Sequence, residues 1–230
     1  KASVNVSKKY IDENVISKET SKILNPEIVG ITKNGNGQVV LLHEKFAKYI
    51  ESGVHLLRNK LNGELYIYNR DGYYEKCDKW ILQIIFKKII NWYGQFWNKE
   101  FERNTLEAMK RDATVVEDFN TQNAINLKNG VYMLDNNVLI AHSFTKSLFT
   151  EQVNYAYDDK AECPLFINFL KDITAGDEDL ISVIQEIFGY TLCNSNKAEK
   201  AFFWYGAGCN GKSLLSKILT NLIGLELTCN

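Results

Sequence analysis

The clearest pattern along the chain is helical. Ile81, Leu82, Ile84, Ile85, Phe86, Ile89, Ile90 and Trp92 are apolar, while Gln83, Lys87, Asn91 and Gln95 recur every fourth residue as one narrow polar stripe. A helix that is apolar around most of its circumference is mostly buried. Further helices are predicted over about 43–52 and 97–112. Pro164 stands where a first helical residue is tolerated, because its missing N–H has no intrahelical partner there in any case. Phe166, Ile167, Phe169, Leu170 and Ile173 then keep helical spacing. Thr174–Asp179 reads as a turn, with Glu178 and Asp179 at the positive end of the next helix. In that helix Leu180, Ile181, Ile184, Ile187, Phe188 and Leu192 form one apolar stripe.

Strand signals lie between these helices. Glu64–Tyr68 and Tyr73–Lys76 flank Asn69-Arg70-Asp71-Gly72, and an Asp-Gly pair between aromatic-rich runs predicts a hairpin. A second hairpin is predicted over 125–140, where Asn129-Gly130 and Asn136-Asn137 punctuate Val131–Leu134 and Val138–Ile140. Val153–Tyr157 is a further strand candidate. Residues 1–39 are polar and weakly periodic, with a turn-rich break at Asn34–Gly37. They read as an N-terminal extension or linker with a short helix near 9–24, or equally as an ordinary first element of the domain.

Composition narrows the classes. The chain has 230 residues, 45% hydrophobic, enough for one large domain or two small ones. With 27 basic and 28 acidic residues the net charge is −1, which excludes a polycationic nucleic-acid binder and an acidic disordered tail. Residues 151–230 carry 6 Lys/Arg against 11 Asp/Glu, so any anion site there must be local and geometric. Between 76 and 111, Lys76, Lys79, Lys87, Lys88, Lys99, Arg103, Lys110 and Arg111 interleave with Trp80, Trp92, Trp97 and Phe101. Such mixing can bind single strands by stacking and charge. The apolar residues fall on helical stripes, which favours two amphipathic helices with solvated faces. No apolar run approaches the roughly 20 residues that cross a bilayer. The five cysteines form no CxxC pair and read as reduced thiols; the three histidines stand apart and suggest no metal site. The chain opens at Lys1 without a methionine or apolar signal segment, and reads as a cut piece.

One motif carries chemistry. Residues 206–213 read Gly-Ala-Gly-Cys-Asn-Gly-Lys-Ser and fit G-x-x-x-x-G-K-[ST] at every fixed position. Ala201-Phe202-Phe203-Trp204-Tyr205 before it suits a buried parallel strand. Leu214, Leu215, Ile218, Leu219, Leu222 and Ile223 after it mark a helix stripe, and Gly224 sits where that helix would stop. Glycines at 206, 208 and 211 let the backbone curl so that successive N–H groups point at phosphates. The helix N-terminus adds its dipole. Lys212 places an ammonium on the β/γ oxygens of ATP, and Ser213 offers a hydroxyl ligand to Mg²⁺. Ala207, Cys209 and Asn210 occupy variable positions of this nucleotide-binding run. The catalytic candidates are Lys212 and Ser213, the latter also the metal ligand through the nucleotide.

The order of short elements adds a resemblance. Asn129-Gly130-Val131, then Ala161-x-Cys163-Pro164-x-Phe166-x-x-Phe169-Leu170, then Gln185-Glu186-x-x-Gly189-Tyr190 leads into the Gly206–Ser213 loop. This order resembles the phage and plasmid primase–helicase family, related to the poxvirus primase–helicase, over about residues 40–230. The resemblance implies an α+β pre-helicase domain followed by the first strand–P-loop–helix unit of an α/β, AAA+-like superfamily 3 motor. Domains are then expected at 1–39 (extension or linker), 40–195 (pre-helicase) and 196–230 (the truncated start of the motor). It also implies an ATP- and Mg²⁺-dependent DNA helicase of a virus, prophage or mobile element. Such a helicase works as a ring, usually a hexamer, around DNA, with no membrane, in the cytoplasm of a bacterial host or a virus-infected cell.

Only 17 residues follow Ser213 and no arginine follows Arg111. A P-loop ATPase needs a later acidic residue for Mg²⁺ and usually a neighbour's arginine. The expectation is that this piece alone hydrolyses ATP poorly and binds nucleotide weakly, because a lone strand and helix lack the sheet that fixes the loop. The alternative is a non-enzymatic module, in which 40–195 assembles the ring or binds DNA or a partner ahead of the motor. A small-molecule kinase fits less well, since about 200 residues precede the loop, and a GTPase would need a guanine-reading motif downstream of it.

Overall fold

The computed structural model describes residues 9–10, 26–93, 98–193, 199–224 and 227–228, with the side chains of 92 and 93 excluded. The chain divides into two compact units, 1–119 and 120–230, each mixing helix and strand. The division falls inside the stretch expected as one pre-helicase domain.

In the first unit β1 (Ile31–Lys33) pairs antiparallel with β2 (Val39–Leu41). Val29, Ile31 and Leu41 are buried in the core, so 26–41 is an ordinary first element of the domain and not a linker. Of the helix expected near 9–24, only residues 9–10 are described, and they are helical; 11–25 lie outside the described residues. Helix α1 (His43–Glu51) follows, then β3 (Leu56–Asn59), β4 (Leu65–Tyr68) and β5 (Tyr74–Lys76). The β4–β5 hairpin is antiparallel, as its turn residues predict. Buried Asn69 closes it: its side-chain oxygen accepts from the Tyr73 N–H at 3.2 Å.

Helix α2 (Lys79–Tyr93) buries Ile81, Leu82, Ile85, Phe86, Ile89 and Ile90, as its near-continuous apolar surface demands. Helix α3 (Lys99–Asp112) starts at Asn98, whose side chain accepts from the Phe101 N–H. It packs on α1 and leads into β6 (Thr114–Val116), parallel to β3, to complete a four-stranded sheet in the order β5-β4-β3-β6. The basic-aromatic stretch resolves toward structure. Lys79 pairs with the buried Glu102 at 3.2 Å, Lys76 with Glu64, and Arg111 with Glu44 and Asp112. Phe101 packs against the core, and Trp80 bonds Asp78. Gln95 and Trp97 lie outside the described residues.

The second unit opens with an antiparallel sheet of β7 (Ala124–Leu127), β8 (Gly130–Met133) and β9 (Val138–Ile140). The strand expected over Val153–Tyr157 shrinks to one bridge, Leu127 to Val153. Asn129 holds the rest of that segment: its amide donates to the Tyr157 carbonyl at 2.9 Å and accepts from the Tyr157 N–H at 2.8 Å. Three helices follow, α4 (Pro164–Ile173), α5 (Glu178–Leu192) and α6 (Lys212–Ile223). Asp177 caps α5 by accepting from the Leu180 N–H at 3.0 Å. Leu170, Ile184, Phe188 and Leu215 make their shared core, with Phe166, Phe169, Ile173, Trp204 and the α6 stripe packed around it.

Candidate functional site

The loop before α6 is placed by hydrophobic packing on both sides. Trp204 upstream and Leu215, Ile218, Leu219 and Leu222 downstream join the α4–α5 core. With that stripe facing inward, Ser213 and Leu214 are left exposed. The strand expected over Ala201–Tyr205 does not form: these residues are irregular, with Phe203 90% and Tyr205 99% exposed. A strand needs a ladder, and among the described residues no strand pairs with this run.

The three glycines of the loop meet different surroundings. Gly211 has φ +82°, and a β-carbon on it would stand 2.7 Å from Ile173 Cγ2 and 3.1 Å from Phe169 Cε2. Gly206 has φ +156°, and its β-carbon would strike the Asn210 side-chain amide. Gly208 is different: nothing lies within 4 Å of the position a β-carbon would take. Cys209, an exposed free thiol, also turns left-handed at φ +56°.

This path leaves a row of donors. Gly208 and Cys209 form a turn, and the backbone N–H groups of Ala207, Gly208, Cys209 and Gly211 to Leu214 make no backbone hydrogen bond among the described residues; the first helical bond runs from Leu215 N–H to Gly211 C=O at 2.9 Å. Unlike α3 and α5, helix α6 has neither a side-chain cap nor an acid in its first turn. Nothing within the helix itself offsets the positive end of its dipole.

Lys212 reaches back over the loop. Its ammonium donates to Gly206 C=O at 3.0 Å, Ala207 C=O at 2.8 Å and Asn210 Oδ1 at 2.5 Å. The Ser213 hydroxyl has no hydrogen-bond partner among the described residues. Of the eight predicted positions, Gly206 to Gly211 form the loop, and Lys212 and Ser213 are the first two residues of α6. Phe169 and Ile173, which the sequence pattern gives only as packing residues, form the wall beneath Gly211. Their signal was present as the α4 apolar stripe.

Residues 98–175 match the family model described as D5 N terminal like. This is the pre-helicase domain typical of D5-like primase–helicase proteins, and it supports a role in replication. The chain is also 32% identical over 68 residues to the uncharacterized mitochondrial protein ymf21 of Marchantia polymorpha. That similarity covers 30% of this chain and 38% of the relative, so the chain spans less than two thirds of the curated relative. The D5 N-terminal-like segment runs from α3 through the β7–β9 sheet to the end of α4 and stops before Gly206. It nevertheless supports the loop: Phe169 and Ile173 back Gly211, and Tyr155 O–H donates to Asn221 C=O of α6 at 3.0 Å. Among the described residues, no group of three or more His, Cys, Asp or Glu is placed to hold a metal, and no helix is long and apolar enough to cross a membrane.

Proposed function

We propose that this chain belongs to an ATP-dependent DNA helicase of the primase–helicase type, serving the replication of a virus, prophage or mobile element. Gly206–Ser213 is its nucleotide loop. The observation that carries the reading is the set of N–H groups along 207–214 that lack a backbone partner, next to the Lys212 ammonium held on the Gly206 and Ala207 carbonyls. Such a group of donors suits a polyphosphate, whose oxygens accept several hydrogen bonds and carry the opposite charge. The loop's donors fit ATP, and the unpaired Ser213 hydroxyl fits a role as Mg²⁺ ligand beside it. Bound there, the nucleotide supplies the free energy of phosphoryl transfer. The chain's own residues orient it: backbone amides cradle the phosphates and Lys212 neutralises their charge. DNA and a ring of further copies, a hexamer in this reading, are the partners. The motor also requires Ala201–Tyr205 to pair with neighbouring strands.

Hydrogen exchange tests the assignment. Mg-ATP should slow exchange at the amides of 207–214 and leave the β7–β9 sheet unchanged. Unaltered exchange in the loop at saturating nucleotide rejects it.

A second reading has its own support, because the family match stops at 175, before the loop. In that reading the segment assembles or docks the protein and does no chemistry. Oligomers or DNA binding by residues 1–200, lacking the loop, would favour it.

A further inference from the structure

An ammonium group has three donors, and on Lys212 all three are taken, by Gly206 C=O, Ala207 C=O and Asn210 Oδ1. Two of these acceptors are backbone and belong to any residue at those positions. The third belongs to Asn210, a variable position of the motif. The Asn210 amide is itself seated against Gly206, at the place where a β-carbon would project. It thus bridges the start of the loop to the lysine at its end. For a phosphate oxygen to receive a hydrogen bond from Lys212, one of the three bonds must be exchanged. The backbone carbonyls are held by the loop's own fold, whereas the exposed Asn210 side chain leaves by a rotamer change.

We propose, on the nucleotide reading of this same loop, that Asn210 is a positioning residue that latches Lys212. It holds the ammonium at the loop's mouth and is the bond given up to a triphosphate. Latching lowers affinity by the strength of that bond, and keeps the lysine from sampling the many rotamers of a free chain. A β-carbon at 206 would displace this amide, so the bare Gly206 leaves room for the contact.

The test pairs two variants in opposite directions with two readouts. Asn210→Ala removes the latch, and Asn210→Asp strengthens it by charge. The first readout needs no nucleotide: proton exchange of the isotope-labelled Lys212 ammonium by NMR. Exchange should quicken in Asn210→Ala and slow in Asn210→Asp. The second is the Kd for Mg-ATP from calorimetry, expected to tighten about fivefold in Asn210→Ala and to weaken in Asn210→Asp. If Lys212 exchange is the same in all three proteins, or if the parent binds ATP and Asn210→Ala binds it no better, the latch is wrong. If the parent and both variants bind no ATP while the exchange series appears as expected, the latch stands and the nucleotide assignment fails.

Discussion

Phe169 stands against Gly211: its ring edge lies 3.1 Å from the point a β-carbon on that glycine would occupy, with Ile173 closer still at 2.7 Å. Helix α4, part of the D5 N-terminal-like segment, thus shapes the last turn before Lys212. Gly211→Ala meets two penalties, a left-handed backbone and a clash with this wall. It should destabilise the second unit by about 2–3 kcal/mol in urea unfolding. Phe169→Ala in the same chain should relieve part of the clash, so the double variant loses less than the sum of the two single changes. Strict additivity would show that the Phe169 ring does not press on the loop.

Gly208→Ala should behave in the opposite way. Its β-carbon meets nothing within 4 Å, so thermal stability should stay within about 0.5 kcal/mol of the parent. The added methyl would instead crowd a phosphate approaching the loop amides, and Mg-ATP affinity should drop by about tenfold or more. A large stability loss with unchanged affinity would reverse the roles assigned to the two glycines.

Much of this arrangement was legible in the sequence, for reasons that differ by element. The β4–β5 hairpin follows from Asn69–Gly72, because the turn residues act locally. Helices α2, α4 and α5 follow from stripes that must be buried. Strand β6 was not legible: three residues parallel to β3 gain their identity only from a partner more than 50 positions upstream. Ala201–Tyr205 failed in the other direction. Its composition suits a strand, but a strand exists only where another pairs with it. The loop's eight positions were legible as chemistry; the Asn210 bond to Lys212 was not, because the motif leaves that position open.

In the first unit, Glu75 is the acid whose titration should be visible. Burial works to raise its pKa, but hydrogen bonds from Lys9, Tyr10 and Asn69 outweigh it and hold the carboxyl below its ordinary 4.5. The Lys9 and Tyr10 contacts are each 2.5 Å and the Asn69 contact 2.7 Å. A carboxyl depressed in the folded state stabilises fully above its unfolded value, and that stabilisation is lost as pH falls through the folded one. Glu75→Gln should therefore cost about 1–2 kcal/mol at neutral pH. The gap should close as pH drops below 4.5. Urea titrations of parent and variant across that interval would reveal it; a constant gap would mean that the charge does not matter.

Tyr10→Phe isolates one contact of the same cluster. It should remove about 1 kcal/mol without moving the loop, so Mg-ATP affinity should be unchanged. An altered affinity would show coupling between the two units.

Calorimetric titration of Mg-ATP into the chain and its Lys212→Ala variant addresses the nucleotide assignment most directly. Saturable binding by the parent, weakened at least about tenfold in Lys212→Ala, is the expected result. Equal binding by both proteins, or none by either with any nucleoside triphosphate, would contradict it.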